Sequence, residues 1–569
     1  MKKDLVVAIN CPVLADGTFT YDGNIALFKN GCLTLALAEE RISRKKYDGH
    51  FQKSFEFALT RMGASLLDIE AIALCSFGQP LLNDNSFEGS LKAAVQNFID
   101  QNIPIHYLTS HHEAHALAAA SQCPFEEAII VVVDHTGNLL SPLRSLKLED
   151  NSAEQTSYYL LRNKQLTLIA RDHDQPRDAG YGRAYGDITC YLGFESYRES
   201  GKTMGLAAFG NPNILSNYGL YRQAPDGSMI TDLVEIGYCE DDTKDIAQWF
   251  ANHGLKIPPR RSSKATIRPF DMHLAAWIQD QMQNSIKNRL KLLLDKYGIN
   301  NVCMSGGVAM NSVLNSYLES SLDICIYIPP SPGDAGIAIG AGASYFLKRN
   351  KEIPFFGSNP YLGPLYTQKE IQNAISEIGQ GLIVNYYYNI TDVTAQALNS
   401  GKIVGWFQGC SEYGPRALGN RSILASPRNS WTKEILNSQV KLREWFRPYA
   451  PAAQIEHASI YFKGKAEDPY MMKTAFVTEK AYTDIPACIH ADGSARLQTV
   501  TKESNPLFYE LIGSFAKLSG IPVILNTSFN LAGMPIVEHP KDAIDCFKQS
   551  IGIDLLVIGN YVLTKEQSL

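Results

Sequence analysis

Residues 127–137 read Glu-Ala-Ile-Ile-Val-Val-Val-Asp-His-Thr-Gly. An unbroken apolar run, mostly β-branched, that ends in a carboxylate and a glycine describes a strand buried on both faces, with an acid delivered to its mouth. A hairpin follows at 158–169, YYLLRNKQLTLI. The N-terminal stretch repeats the arrangement. Residues 4–9, DLVVAI, read as a buried strand, Asp22-Gly23 supplies the acid and glycine, and 24–38 reads as a hairpin turning at Asn30-Gly31. Asn-Gly between β-rich runs is a strong type I′ signal.

A hairpin unit used twice, with an acid near its mouth each time, predicts an α/β chain. By fold analogy, its N-terminal domain is expected to have the two-lobed architecture shared by actin, Hsp70 and the sugar kinases, the ASKHA type. Helical spacing appears at 89–101 and 273–296. Residues 301–311 read as strand, Gly306-Gly307 turn and helix start, a place where a phosphate or an adenosine can sit; a plain tight turn fits the same residues. The stretch 348–364, rich in Pro, Gly and Asn, reads as an inter-domain linker. A helix near 368–378 opens a second α/β domain. The expected division is 1–350, a linker at 351–361, and 362–569.

The chain has 569 residues, 19% charged and 45% hydrophobic, with a formal net charge of −6. That length suggests about three or four domain-sized units. The negative balance disfavours a nucleic-acid-coating surface. Eleven cysteines, scattered without a CxxC pair, fit a reducing compartment. The start, MKKDLVVAIN, does not read as a signal peptide, and no apolar run reaches membrane-span length. The expectation is a soluble, cytoplasmic protein. The basic runs Arg41, Arg44, Lys45, Lys46 and Arg260, Arg261, Lys264 read as exposed loops.

Two stretches carry chemistry. Residues 414–422, Gly-Pro-Arg-Ala-Leu-Gly-Asn-Arg-Ser, set Arg416 and Arg421 beside two glycines and a hydroxyl, and Lys441, Arg443 and Arg447 follow among Trp445 and Phe446. Arginine forks match phosphate and carboxylate bidentately, and glycine lets backbone approach an anion. The stretch reads as a pocket for a small phosphorylated ligand, or as arginines paired with core carboxylates. Residues 111–115, His-His-Glu-Ala-His, place His111 and His115 on one helix face, where two imidazoles can chelate a metal or serve structure alone. Asp134 and Asp334 are candidate carboxylate partners, a donor set suited to Fe(II), Mn(II) or Zn(II).

Nine segments together carry a resemblance: AEERISRKKYDG (38–49), HHEAHA (111–116), GKTMGLAAFG (201–210), SGGVAMN (305–311), SPGDAG (331–336), GPRALGNRS (414–422), REWFRPYAP (443–451), LQTV (497–500) and NTSFN (526–530). The whole chain resembles the O-carbamoyltransferases of the NodU/CmcH type, which include the tobramycin, cephamycin and novobiocin tailoring enzymes. The resemblance implies a C-terminal YrdC-like domain that forms carbamoyl adenylate from carbamoyl phosphate and ATP with Mg2+. It implies an actin-like, metal-holding N-terminal domain that passes the carbamoyl group to a hydroxyl of a small natural product. The implied metal ligands are His111, His115, Asp134 and Asp334, with Fe(II) first and Mn(II) or Zn(II) as alternatives. The implied anion pocket is Arg416, Arg421, Lys441, Arg443, Arg447, Arg496, Asn526 and Ser528, with Gly306, Gly307 and Asn311 near the adenylate. Tyr21, Asp22, Arg416, Lys441 and Arg443 form the implied catalytic group. The implied partners are carbamoyl phosphate and the hydroxyl acceptor, with no nucleic acid and no membrane; a homodimer is compatible. Two positions depart from the pattern. Tyr21 stands where the family has a histidine, and His135 stands where a small residue is common. The Tyr21 departure keeps open a regulatory protein that binds carbamoyl adenylate, or a transfer-impaired homologue.

Overall fold

Two hairpins set the architecture of the first half. In the computed structural model, β1 (Leu5–Asn10), β2 (Asn24–Lys29) and β3 (Cys32–Ala38) are followed by β4 (Ile69–Cys75) and β5 (Ile105–Leu108). The β2–β3 turn at Asn30-Gly31 has φ of 52° and 78°, the two positive values that a two-residue type I′ turn requires. β2 lies antiparallel to β1, while β4 and β5 add in parallel, giving the order β3-β2-β1-β4-β5.

The second lobe contains β6 (Ala128–Val133), β7 (Thr156–Arg162), β8 (Gln165–Asp172), a small hairpin of β9 (Tyr221–Gln223) and β10 (Met229–Thr231), then β11 (Asn301–Ser305) and β12 (Cys325–Tyr327). Its sheet order is β12-β11-β6-β7-β8, with β7 antiparallel to its neighbours and β11 and β12 parallel. In each lobe a hairpin extends the sheet on one side of the founding strand, and two parallel strands extend it on the other. This duplicated topology is the two-lobed actin-like fold. Both founding strands, β1 and β6, are buried along their whole length, as their apolar runs require.

The structure describes residues 4–14, 17–76, 89–140, 152–175, 178–231, 233 and 244–566. The chain forms two units. The first is Met1–Thr34, Gly49–Phe51 and Gly63–Ser358; the second is Leu35–Asp48, Gln52–Met62 and Asn359–Leu569. The second unit therefore includes two early segments that spacing places with the first half. The stretch read as a linker is tied down on both sides of Ser358. Ile353 and Phe356 donate backbone hydrogen bonds to Lys164 and Ser121 in the first unit, and Pro360 accepts one from Tyr413 in the second.

The second unit is built on an eight-stranded mixed sheet. Its strands are β13 (Leu382–Tyr386), β14 (Val404–Phe407), β15 (Arg421–Ala425), β16 (Ala450–Gln454), β19 (Gln498–Val500), β20 (Val523–Ser528), β21 (Leu555–Ile558) and β22 (Tyr561–Lys565), in the order β13-β22-β21-β14-β15-β20-β16-β19; β17 (Ala475–Phe476) and β18 (Ser494–Ala495) pair separately. Period-two alternation divides its core. Val404, Trp406, Leu424 and Val557 pack on one face with helices Ile390–Asn399 and Pro506–Ser519. Phe407, Ile423, Ala425 and Leu556 pack on the other with helices Gln368–Ile378 and Pro540–Gln549.

Both basic runs require a correction to their reading as exposed loops. Arg41 is buried in the helix Glu39–Ser43, and Arg44 donates to the carbonyls of Pro535 and Ile536; only Lys45 and Lys46 of that run are exposed. Arg261 is also buried, its guanidinium held by the carbonyls of Leu192 and Ala265. Residues 89–101 form two short helices, Gly89–Ala94 and Gln96–Asp100, rather than one.

Candidate functional site

In the first unit, the helix His111–Ala120 is capped by Ser110, whose hydroxyl accepts from the Glu113 amide. It packs closely on the helix Ile337–Asn350, where a side chain at Gly340 would stand 1.9 Å from the carbonyl of Ala114. That approach brings Asp334, just before the second helix, to the start of the first. β6 delivers Asp134 from the other side. The four groups converge. His111 Nε2 and His115 Nε2 lie 3.2 Å apart, Asp134 Oδ2 lies 3.6 and 3.0 Å from them, and Asp334 Oδ1 lies 3.3 Å from each. All four ligand atoms fall within 4.8 Å of one another.

The electrostatics ask for a cation. Burial opposes charge on both imidazoles, yet Asp334 and Asp134 outweigh it and raise both above the ordinary histidine value. Burial likewise opposes ionisation of Asp134, and the two imidazoles outweigh it and hold the carboxyl well below its usual range. Donors about 2.0–2.1 Å from a tetrahedral ion stand roughly 3.3 Å from each other. The separations in the structure bracket that value, so the donor set fits a divalent transition metal. Backbone amides of His135 and Gly307 bond Asp134 Oδ1, which leaves Oδ2 for the histidines. Gly306 has φ of 87°, and a side chain there would strike the Val133 carbonyl at 2.3 Å. The Gly306-Gly307 turn thus sits against Asp134. Asn311 plays a different part, since its side chain caps the helix Ser312–Leu322 and bonds Gln279.

Tyr21 and Asp22 reach the same region through Asn24, whose amide donates to the carbonyls of both Asp22 and Asp334. The Tyr21 ring carries the Arg198 guanidinium at 4.1 Å. His135 is not one of the four converging ligands. It stacks on Tyr197 at 4.5 Å, and burial, reinforced by Arg183, pushes it down to about 3, so the imidazole is neutral.

The second unit gathers charge of the opposite sign. Arg416, Arg443, Arg447 and Arg496 are partly exposed, while Lys441 is buried. Burial pushes Arg416 and Arg443 down to about 10, and Arg447 adds repulsion to both. Arg496 falls further, through burial and then Arg416, Arg443 and Arg447. Burial and Arg443 hold Lys441 well below the ordinary lysine value. Asp468 offsets Arg416 and Arg496; burial pushes its own carboxyl up to about 6. Glu444 lies 3.7 Å from Arg447. Guanidinium groups do not deprotonate in proteins, so a cluster this rich in cations is relieved by binding an anion.

The frame around it is specific. Lys441 Nζ bonds the Ser528 carbonyl and hydroxyl and both oxygens of Asn530, tying it to the NTSFN segment. A π-helical turn, Leu436–Val440, and a positive φ of 43° at Leu442 flank that lysine, irregular backbone of the kind found at working sites. Asn526 holds the loop before β15 by donating to the Ala417 carbonyl. Arg421 requires a correction to its reading as an anion ligand, because backbone carbonyls already take its guanidinium. It is fully buried, with its guanidinium on the carbonyls of Gln408, Gly409 and Asn420, 3.5 Å from Glu538 and 3.7 Å over the Phe407 ring. Spacing missed Asn24, Arg198, Glu412, Asp468 and Arg41. None carries a local signal, because each acts on a partner distant in sequence or on backbone.

Family models match both halves of the chain: "Carbamoyltransferase N-terminus" over residues 81–343 and "Carbamoyltransferase C-terminus" over residues 395–565. The uncharacterized protein sll1178 of Synechocystis is 31% identical, covering 97% of this chain and 96% of its own length. The chain belongs to the carbamoyltransferase family. Nodulation protein NolO of Bradyrhizobium diazoefficiens is 31% identical over 80% of this chain and 79% of that protein. Nodulation protein NolNO of Sinorhizobium fredii is 29% identical over 96% of this chain and 80% of that protein. As a member, this carbamoyltransferase is an enzyme. No helix among its described residues is long and apolar enough to cross a membrane.

Proposed function

We propose that this carbamoyltransferase is ATP-dependent and works in two stages, one in each unit. In the second unit, water hydrolyses carbamoyl phosphate to carbamate and inorganic phosphate, with loss of a proton. The carbamate oxygen attacks the α-phosphorus of ATP, with Mg2+ on the nucleotide, and pyrophosphate leaves. The product is carbamoyl adenylate, in which a poor leaving group has become a phosphate. In the first unit, a hydroxyl oxygen of a small acceptor attacks the carbamoyl carbon, AMP leaves, and the hydroxyl proton is lost. The observation that carries this reading is the cluster of Arg416, Arg443, Arg447, Arg496 and Lys441, whose positive charge exceeds that of the acids near it. Cations fixed in place before reaction stabilise the charge that develops on transferring phosphoryl groups.

His111, His115, Asp134 and Asp334 would hold a divalent ion, Fe(II), Mn(II) or Zn(II), which when bound supplies positive charge against the adenylate phosphate and the acceptor oxygen. The protein's own groups orient the reactants there. Gly306-Gly307 lets backbone approach the adenylate beside Asp134, and Tyr21, Asp22 and Arg198 border the space for the acceptor.

The test is mass spectrometry of purified, metal-loaded protein incubated with ATP and Mg2+, with and without carbamoyl phosphate. AMP and pyrophosphate that appear only with carbamoyl phosphate support the reading. Their formation without it, or their absence in both arms, overturns it.

A further inference from the structure

The segment 38–49 is a motif whose place in the reaction the charge clusters do not explain. Its arginines are built into the second unit. Arg41 is 4% exposed. Its Nη2 donates to the carbonyls of Glu412, at 3.4 Å, and Gly414, at 3.2 Å, and its Nη1 lies 3.9 Å from Glu538. Those carbonyls bracket the entry to the loop that carries Arg416.

That loop is fastened from several directions, the Tyr413 amide on the Pro360 carbonyl among them. Its later half is held by many side chains of the second unit. Glu412 Oε1 accepts from the amides of Leu418, Asn420 and Arg421. Trp406 donates to the Gly419 carbonyl, Gln498 and Tyr361 to that of Leu418, and Asn526 to that of Ala417. The earlier half includes Gly414, at φ of 134°, and Pro415, a pairing with little stiffness of its own before the proline. Arg41 grips that half. Glu538 in turn bonds the Ser411 hydroxyl and faces Arg421, so Arg41 closes a buried network of two arginines and two glutamates beneath the loop.

We propose that Arg41 is a positioning residue for the anion site: by holding the Glu412 and Gly414 carbonyls it sets where the Arg416 fork stands. The inference rests on the reading of the second unit as the anion-activating site. The planar fork is essential to it, because one ammonium cannot span two carbonyls and a carboxylate in the same geometry. The consequence is that a residue from the first tenth of the chain governs phosphate binding on a loop 373 positions later.

The experiment uses the full chain and inorganic pyrophosphate as the probe, titrated calorimetrically at a temperature where every variant is shown folded by circular dichroism. The variants are Arg41→Lys, the charge-neutral pair Arg41→Met with Glu538→Gln, and Arg416→Ala. A role in stability alone would lower the melting temperature and leave the folded protein's affinity unchanged. The expected result is weaker pyrophosphate binding in both Arg41 variants, about tenfold or more given how steeply ligand geometry depends on the loop, with Arg41→Lys the milder of the two. Wild-type affinity in both, with binding lost in Arg416→Ala, would overturn the positioning role and leave the pocket intact. Wild-type affinity in Arg416→Ala as well would overturn the pocket reading and the Arg41 role with it.

Discussion

The two charged clusters of this chain are opposites. In the first unit, two imidazoles and two carboxylates crowd within 4.8 Å, and the imidazoles are held above their ordinary values as though protons stood in for a cation. In the second, three guanidiniums and an ammonium are pushed below theirs, with few acids near them. The charge of the first site suits a cation, and that of the second an anion. The contrast teaches that the sign of a site's unmet charge identifies its ligand class before any ligand is seen. It is also the basis on which the proposed stages are assigned: phosphate chemistry to the cationic cluster, and a metal to the cluster of acids and imidazoles.

The largest effect that can break the contrast is loss of Arg416. Arg416→Ala should lower carbamoyl-phosphate-dependent AMP formation by about 10²–10³-fold, the scale of removing one stabilising donor, while bound metal stays at the wild-type level; AMP assays and elemental analysis read the two. Next is His115→Ala, which should weaken metal binding by at least about 10²-fold, measured by chelator competition, with the anion site untouched. A third prediction concerns pH. His111 and His115 must lose their protons to bind a metal, and both are raised in the metal-free protein. Zn(II) affinity should therefore climb with pH from about 6.5 upward; a flat profile would remove the imidazoles from the ligand set.

Two smaller effects sharpen the other side. Arg496→Met removes a cation that its neighbours repel, so the ligand-free protein should gain about 1 kcal/mol, seen as roughly 2–4 °C in the melting temperature. A loss of stability would mean that the cluster is internally compensated. Asp468 is raised to about 6, so below that pH it protonates and stops offsetting Arg416 and Arg496. Sulfate, which does not titrate in this range, should bind more tightly at pH 5 than at pH 7.5, on the order of fivefold, and Asp468→Asn should flatten the difference.

Much of the fold is legible in the sequence because its determinants are local. Asn30-Gly31 marks a turn by its own conformational preference, and the run 128–133 can only be a strand buried on both faces. The histidine pair is legible for the same reason: a spacing of four is a contact on a helix. Asp334 enters the site by resemblance alone, since nothing in its spacing points to residues 111 and 115. The arginines show the limit most sharply. Arg416 and Arg421 belong to one motif, yet the first stands in a cluster of cations and the second is fully buried against Glu538. The difference is that Arg421 opens β15, whose residues are all buried, whereas Arg416 lies on the loop before it. Arg41 misleads in the sequence because its partners lie far along the chain, and a basic run carries no mark of what it will meet.

We propose that the two stages belong to separate sites with opposite charge needs. The most direct test is single-turnover pyrophosphate release, with ATP and carbamoyl phosphate, in His115→Ala and Arg416→Ala side by side with the wild type. A wild-type burst is expected from His115→Ala, despite its lost metal, and no burst from Arg416→Ala. A burst lost in His115→Ala, or kept in Arg416→Ala, would contradict it.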